Sequence, residues 1–157
     1  MPGMNTAASM HQESKIREIF QEGPILPEQV AASLQAHQHK KQIGAHSMFM
    51  GQVRADQTPQ GIVAGIEYTT YRDMALEQMH QIREEIFAKF GLTCMHVHHS
   101  LGWVPAGAIS LFVFTSSPHR KAAIEACAEL VERIKKELPV WGKEVLEGEG
   151  HQWKSNN

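Results

Sequence analysis

The sequence predicts a single α+β domain with a mostly antiparallel or mixed sheet and packed helices. Two long segments repeat apolar residues at the helical period, and four shorter segments have the alternation or apolar composition of strands. With 157 residues, 42% of them hydrophobic and 20% charged, the chain can bury one sizeable core but is too short for a second full domain.

The predicted elements follow the order β-β-α-β-β-α after one short helix. Pro27 and Glu28 favour the start of that short helix, predicted at residues 26–38. Residues 43–54 alternate apolar and polar positions and predict the first strand, and a second strand is predicted at residues 62–71.

A long helix follows at residues 74–90, and Gly91 supplies its C-terminal stop. Two further strands are predicted at residues 93–99 and 108–115, with Pro105 and Gly107 in the turn between them.

The last helix has clear signals at both ends. Ser117 is predicted as its N-cap and Pro118 as its first helical residue, so the helix begins near His119. Pro139 ends it near Leu138, because proline disfavours a helical residue before it. The apolar residues predicted to face the core are Ile124, Cys127, Val131, Ile134 and Leu138.

Two features of this helix suggest chemistry. His119, Arg120 and Lys121 gather positive charge at the helix N-terminus, which is typical of an anion site and equally typical of a basic surface turn. Lys135 lies about 20° from Ile124 around the helix, at the edge of the apolar stripe. Its ammonium either reaches water along that stripe or serves a site.

Charge and composition argue against several functions. The net charge of −2 disfavours general nucleic-acid binding, and no apolar run is long enough to span a membrane. Residues 1–14 are expected to be a flexible segment, residues 15–153 the single domain, and residues 154–157 a polar tail. The N-terminus has no leader pattern, so a cytoplasmic location is expected.

No metal or cofactor is expected. Cys94 and Cys127 are far apart and are expected to be buried as small apolar residues. His96 and His98 share one strand face beside His99, but two such side chains make only half a zinc site, and the sequence fixes no further ligand near them. Nucleotide-loop, serine-hydrolase and metalloprotease motifs are absent.

Three motifs occur in order and together resemble one known family. They are GQVR at residues 51–54, SPHRK at residues 117–121 and KKELPVWGKE at residues 135–144. Y-x-x-M at residues 71–74 and H-x-L-G at residues 99–102 extend the resemblance over residues 15–153. The chain resembles the large, catalytic subunit of molybdopterin synthase, the MoaE family.

The resemblance implies an α/β-hammerhead type of fold with an added α+β subdomain. It implies a sulfurtransferase of molybdenum cofactor biosynthesis that installs two sulfurs on cyclic pyranopterin monophosphate, giving the dithiolene of molybdopterin. The implied sulfur donor is the C-terminal thiocarboxylate of a small ubiquitin-like carrier subunit, whose tail inserts into the large subunit. Two large subunits are expected to form a central homodimer with a carrier at each end.

The resemblance also implies the site residues by position. Substrate contacts are implied for Gln52, Val53, Arg54, His119, Arg120, Lys135, Gly142, Lys143 and Glu144. Arg54, His119 and Arg120 suit an anionic phosphate. Lys135 suits either proton transfer during sulfur addition or neutralisation of the thiocarboxylate, and the sequence leaves both roles open.

Gly142 departs from the family pattern, in which lysine usually follows the tryptophan. Because glycine gives the backbone extra freedom, we expect Lys143 to turn into the place of that lysine and to share catalysis with Lys135. One alternative is that Lys143 is a surface residue and Lys135 suffices. The other is a non-catalytic paralogue that binds a phosphorylated ligand or a carrier tail.

Overall fold

A computed structural model describes residues 16–148 and the backbone of residues 151–153. The segments predicted to be a flexible N-terminus and a polar tail lie outside the described residues. The three helices of the described part are α1 (Pro27–Ala36), α2 (Arg72–Phe90) and α3 (Arg120–Glu137). Its strands are β1 (Phe20–Glu22), β2 (Ala45–Gln52), β3 (Gln57–Thr58), β4 (Gly61–Thr70), β5 (Cys94–Pro105), β6 (Ile109–Ser117), β7 (Val140–Leu146) and β8 (His151–Trp153).

The strands form one mixed sheet in the order β2-β6-β5-β4-β7-β8. Neighbours along this path are antiparallel, and β3 adds an antiparallel pair with β4. β1 is the exception, because it pairs in parallel with β5 and places Phe20 beside His99. The α+β fold with a mostly antiparallel sheet and packed helices is therefore confirmed.

The helices cover the two faces of the sheet unequally. Leu111 and Val113 of β6 point into the main core, which also contains buried residues of α2 and α3. Phe112 and Phe114 alternate with them and pack on the other face against Ile25 and the apolar residues of α1. The two long helices thus share one face, and α1 lies on the opposite face.

Most predicted elements are present, with their bounds moved by a few residues. α2 ends as expected at Gly91, which adopts the left-handed conformation (φ 62°, ψ 46°) and donates its N–H to the Phe87 carbonyl oxygen at 2.9 Å. β5 continues six residues past its predicted end. β1, β3, β7 and β8 were not predicted, because the first two are very short and the last two follow a helix in a segment rich in polar residues.

The helix α3 begins next to His119 as expected, but the predicted N-cap Ser117 and first helical residue Pro118 are wrong. Ser117 is the last residue of β6 and pairs with Ala45, and His119 is the N-cap with extended dihedral angles. The Ser117 hydroxyl instead donates to the carbonyl oxygen of His119. Ser117 does not cap the helix because its pairing with Ala45 holds its backbone in the sheet.

The predicted core stripe of α3 is also wrong at its first position. Ile124 is 56% exposed, and the buried residues of the helix are Ala123, Ala126, Cys127, Leu130 and Ile134. The helix packs through its small alanines, which let it approach the sheet closely. Within the described residues, no helix combines the length and apolar composition needed to cross a membrane.

Candidate active site

A small cavity lies where the C-terminal part of α3 packs over β4, β5 and β7. Its volume is about 20 Å³, which is room for about one water molecule. The lining residues are Tyr68, His99, Ile134, Lys135, Leu138, Val140 and Gly142. Two of the predicted site residues, Lys135 and Gly142, therefore meet at this cavity.

Lys135 reaches the cavity from a mostly apolar helix end. Ile134 and Leu138 are buried beside it, and Lys135 itself is half-buried. The angular relation to Ile124 does not explain the position of Lys135, since Ile124 is exposed. Lys135 lies in the last turn of α3, where residues of β4, β5 and β7 line the cavity with it.

His99 is the most deeply buried titratable group of the cavity. It is 5% exposed, and its Nδ1–H donates to the Ser100 carbonyl oxygen at 2.8 Å, which leaves Nε2 as an acceptor. Burial lowers the pKa of His99 to about 4; the hydrogen bond to Ser100 acts against this, and the positive charge of Lys135 adds to it. His99 is thus a neutral imidazole beside a lysine.

Tyr68 provides a second buried polar group. Its hydroxyl donates to Ser110 Oγ at 3.1 Å, and its ring meets that of His99 edge-on with centroids 5.3 Å apart. Burial raises the pKa of the phenol, the hydrogen bond with Ser110 opposes the rise, and the charge of Glu144 adds to it. Tyr68 therefore remains a neutral hydrogen-bonding group at physiological pH.

Gly142 sits opposite Tyr68 in the β4–β7 pair. A Cβ added at this position would lie 2.8 Å from Ile66 Cγ2 and 3.2 Å from Tyr68 Cε1. Real Cβ contacts are not that short, and buried Ile66 has little room to move. The chain therefore leaves no space here for any side chain in the present arrangement.

Lys143 and Glu144 fall on opposite faces of β7, because strand residues alternate. Glu144 shares the face of Gly142, lies opposite Ile66 and is buried. Lys143 lies opposite Glu67 on the other face and does not line the cavity. The structure thus brings Glu144 towards the site and does not bring Lys143 there.

The segment after β2 approaches the same region through Val53. Val53 is buried with Ile66, Tyr68 and Val104, and its backbone N–H donates to the Ala108 carbonyl oxygen at 3.0 Å. Gln52 and Arg54 flank it at the surface. The side chain of Arg54 is 73% exposed and lies 3.3 Å (Nε to Oδ1) from Asp56, an ion pair that solvent weakens.

His119 and Arg120 lie at the other end of α3. Both are exposed, and fifteen residues at 1.5 Å each separate Arg120 from Lys135, a distance of about 22 Å along the helix. The turn before them is held against the sheet, since a Cβ on Gly44 would lie 2.1 Å from the Pro118 carbonyl oxygen. Within one chain, these residues and Lys135 do not form one site.

The comparison with protein families gives a single assignment. The sequence model described as "MoaE protein" matches residues 20–137, well over half of the chain. The chain belongs to the MoaE family. Among the relatives of this MoaE-family chain, "Molybdopterin synthase catalytic subunit 2" of Aedes aegypti is 41% identical over 116 residues, covering 72% of this chain and 74% of that protein.

Solved structures support the family and its fold. A molybdopterin synthase structure from Staphylococcus aureus is 31% identical and has a TM-score of 0.76, covering 87% of this MoaE-family chain and 96% of that one. A complex of subunits 1 and 2 of molybdopterin-converting factor from Helicobacter pylori has a TM-score of 0.74 at 20% identity, covering 87% and 89% of the two chains, and shows likeness of fold.

Tyr68, His99 and Ser110 are the residues of this MoaE-family site that sequence reasoning did not assign. His99 was noted as a neighbour of two other histidines and as the first residue of the H-x-L-G motif, but it was given no role. Alternation indicates which strand residues share a face, but it does not say which face is covered by a helix. The H-x-L-G motif at residues 99–102 was the one signal that could have directed attention to His99.

Proposed function

We propose that this protein is the catalytic subunit of a molybdopterin synthase that transfers two sulfurs from a thiocarboxylated carrier to cyclic pyranopterin monophosphate. Each transfer breaks the acyl carbon–sulfur bond of the carrier and forms a carbon–sulfur bond to the pterin in place of a carbon–oxygen bond, whose oxygen leaves as water or stays on the phosphate. Water supplies the oxygen with which the carrier tail leaves as a carboxylate. Membership of the MoaE family supports the enzyme class, and the complex of two subunits in a protein of the same fold supports a small partner.

The arrangement around Lys135 is the observation that carries this proposal. An ammonium beside buried neutral His99 and Tyr68 lies in surroundings of low dielectric, where its interaction with an anion is stronger than in water. Lys135 either moves a proton during sulfur addition and loss of water, or neutralises the thiocarboxylate. Either role requires the side chain at this cavity.

The anionic phosphate of the substrate needs cationic donors near the pterin. Arg54, His119 and Arg120 are exposed and have the required chemistry. Because His119 and Arg120 lie about 22 Å from Lys135 of the same chain, they serve its cavity only if a second copy supplies them. The proposed homodimer places His119 and Arg120 of one copy beside the Lys135 cavity of the other.

A second candidate function is a non-catalytic paralogue that binds the carrier tail or a phosphorylated ligand. It is favoured by Gly142, which supplies no ammonium, and by the position of Lys143 on the opposite face of β7. In the synthase proposal, Lys135 alone supplies the catalytic ammonium.

A turnover assay separates the two functions. Purified protein is given cyclic pyranopterin monophosphate and thiocarboxylated carrier, and the dithiolene product is measured by mass spectrometry. We expect turnover by the parent and a loss of kcat of at least about 100-fold in Lys135→Ala, the usual contribution of a general acid or base. Lys136→Ala is the matched control, since Lys136 is exposed and ion-pairs with Glu132 at 3.6 Å, and it should retain full turnover.

The result also tests the two roles of Lys135. Lys135→Arg keeps the charge but cannot exchange a proton near neutral pH, so it retains carrier affinity and loses turnover if Lys135 transfers a proton. If Lys135 only neutralises the thiocarboxylate, Lys135→Arg retains much of the carrier affinity and much of the turnover. Carrier binding without any product from the parent protein would favour the non-catalytic paralogue, and unchanged turnover in Lys135→Ala would remove the proposed mechanism.

A further inference from the structure

A cluster of metal-ligand side chains lies on the α1 face of the sheet, away from the Lys135 cavity. Cys94 and His96 are two residues apart on β5 and so share one strand face. His37, the C-cap of α1, packs over them. The ligand atoms of His37, Cys94 and His96, the histidine–cysteine cluster, all lie within 4.8 Å of one another.

We propose that the histidine–cysteine cluster binds one zinc ion, with a fourth coordination position open to water. This revises the expectation that the chain holds no metal. The sequence shows Cys94 and His96 in a C-x-H arrangement, but only the fold brings His37 from 57 residues away to complete three ligands.

The hydrogen bonds of His37 leave it in the form that binds a metal. Its Nδ1 lies 2.7 Å from the Ser33 carbonyl oxygen, so Nδ1 carries the proton and Nε2 carries a lone pair. Metal-bound histidines characteristically donate their other ring N–H in this way, which fixes the ring orientation. Ser33 is thus an outer partner that holds His37 for coordination.

The two imidazoles already point at each other. His37 Nε2 and His96 Nε2 are 2.8 Å apart, a hydrogen bond that requires one proton between them. Zinc would replace that proton, which moves to His96 Nδ1, and the Cys94 thiol would release its own. The two nitrogens of a tetrahedral zinc site are about 3.3 Å apart, so the rings need to separate by about 0.5 Å.

The charges around the cluster are mixed. The guanidinium groups of Arg83 and Arg17 act on His96 and would oppose a dication, and the thiolate of Cys94 would offset part of that repulsion. Lys40 Nζ donates to Cys94 Sγ at 3.0 Å and would remain an outer donor to the bound sulfur.

The ligand types favour zinc over magnesium and calcium. Thiolate and imidazole are ligands that zinc prefers, whereas magnesium and calcium prefer oxygen ligands. A cavity of about 400 Å³ between α2, β5 and residues 16–19 is lined by His96. His96 is the one ligand of the three that lines it, so a water in the fourth position would approach the metal past His96.

A bound zinc ion would fasten α1 to the sheet. α1 has no fully buried residue, and it packs through half-buried Val30 and Leu34. His37 at its C-terminal end and Cys94 at the start of β5 would become linked through the metal. Zinc should therefore slow hydrogen exchange in α1 more than in α2, which the main core already holds.

The test is a metal titration of the full chain without an affinity tag. Cobalt(II) serves as the spectroscopic probe, and we expect one equivalent to give a thiolate-to-cobalt charge-transfer band with the visible bands of a tetrahedral site. One equivalent of zinc should abolish both. Cys94→Ser and His37→Gln should each lower zinc affinity at least tenfold, and Cys94→Ser should remove the charge-transfer band.

Two variants serve as matched controls. Cys127→Ser changes the other buried thiol, and His98→Gln changes the next histidine on the same strand face, outside the cluster. Both should bind zinc as the parent does, and circular dichroism checks that each variant is folded. Absence of stoichiometric binding by the parent, or equal zinc affinity in the parent and Cys94→Ser, would overturn the proposal; so would loss of the charge-transfer band in Cys127→Ser.

Discussion

Gly142 stands where the family resemblance implies a lysine, and its neighbours explain the glycine. Ile66 Cγ2 and the Tyr68 ring occupy the space that a Cβ would need. A lysine at this position would meet the same contacts before its ammonium reached the cavity. The local packing therefore fits a glycine here and leaves no room for a lysine side chain in the present arrangement.

We predict that Gly142→Ala lowers the free energy of unfolding by about 1–3 kcal/mol, the usual cost of overpacking a core. In an Ile66→Ala background the methyl group added by Gly142→Ala has space. Gly142→Ala should therefore lower the free energy of unfolding much less there than in the parent. Urea unfolding of the four proteins of this double-mutant cycle measures the coupling. Equal losses in both backgrounds would show that Ile66 is not the obstacle.

Sequence reasoning found part of the site and missed the rest for a physical reason. It selected Lys135 and Gly142, which do meet, but it placed Lys135 through Ile124, which is exposed. Strand alternation could not select Tyr68 or His99, because they meet Lys135 only where α3 and strands that are distant in the chain come together. The alternation of apolar and polar residues within each strand can be read from the sequence. Which strands come together is set by tertiary packing.

β5 is the element that connects the two sites of the molecule. Its first residues carry Cys94 and His96 of the histidine–cysteine cluster, and its middle carries His99 of the Lys135 cavity. Burial lowers the pKa of both histidines to about 4. This strand therefore holds two neutral imidazoles that acid would protonate.

We predict that stability falls as the pH decreases from about 6.5 to 4. The pKa of His99 is about 4 in the folded chain against an ordinary value of 6.5, so in this range the unfolded chain binds a proton that the folded chain does not. The full difference corresponds to about 3 kcal/mol of unfolding free energy, present above pH 6.5 and lost on acidification.

Urea unfolding at several pH values between 4 and 7 measures this effect. His99→Gln should show a shallower dependence of the unfolding free energy on pH than the parent, because it lacks the titrating ring. His39→Gln changes an exposed histidine and is the matched control, so it should keep the parent slope. Equal slopes in the parent and His99→Gln would contradict the prediction.

At the element scale, the helices were easier to predict than the strands. α2 has a glycine stop and α3 a proline stop, and both signals act within one turn of chain. β1 has only three residues and is stabilised by its parallel partner β5. β7 joins β4 through contacts that no local pattern contains, so its existence followed only from the tertiary structure.

At the scale of the whole molecule, three of the basic residues proposed for the site lie at opposite ends of α3. His119 and Arg120 begin the helix, and Lys135 lies in its last turn. About 22 Å of rigid helix separates them, which side chains cannot bridge. A site that uses both therefore needs two copies of the chain, and this requirement can be tested directly.

We predict that two inactive variants restore each other's activity when mixed. In a dimer of one Lys135→Ala chain and one Arg120→Ala chain, one of the two shared sites has both residues intact and the other lacks both. Subunit exchange or co-expression of differently tagged chains, followed by purification of the mixed dimer, should recover up to about half of the parent turnover.

The control is a mixed dimer of parent and Lys135→Ala/Arg120→Ala chains. In a shared-site dimer each of its sites lacks one residue, so it should be inactive, whereas sites contained within one chain would give half of the parent turnover. Turnover by the dimer of parent and double-variant chains, without turnover by the dimer of the two single variants, would contradict the two-copy arrangement.

β7 is synthesised after β1 to β6, yet it lies in the interior of the strand order, between β4 and β8. Until residues 140–146 leave the ribosome, β4 has no partner along most of one side, and its backbone N–H and C=O groups stand unpaired. A chain that terminates early at Pro139 would expose this apolar strand as a template for aggregation. Synthesis of β7 thus completes the Lys135 cavity and protects the nascent protein from self-association at the same time.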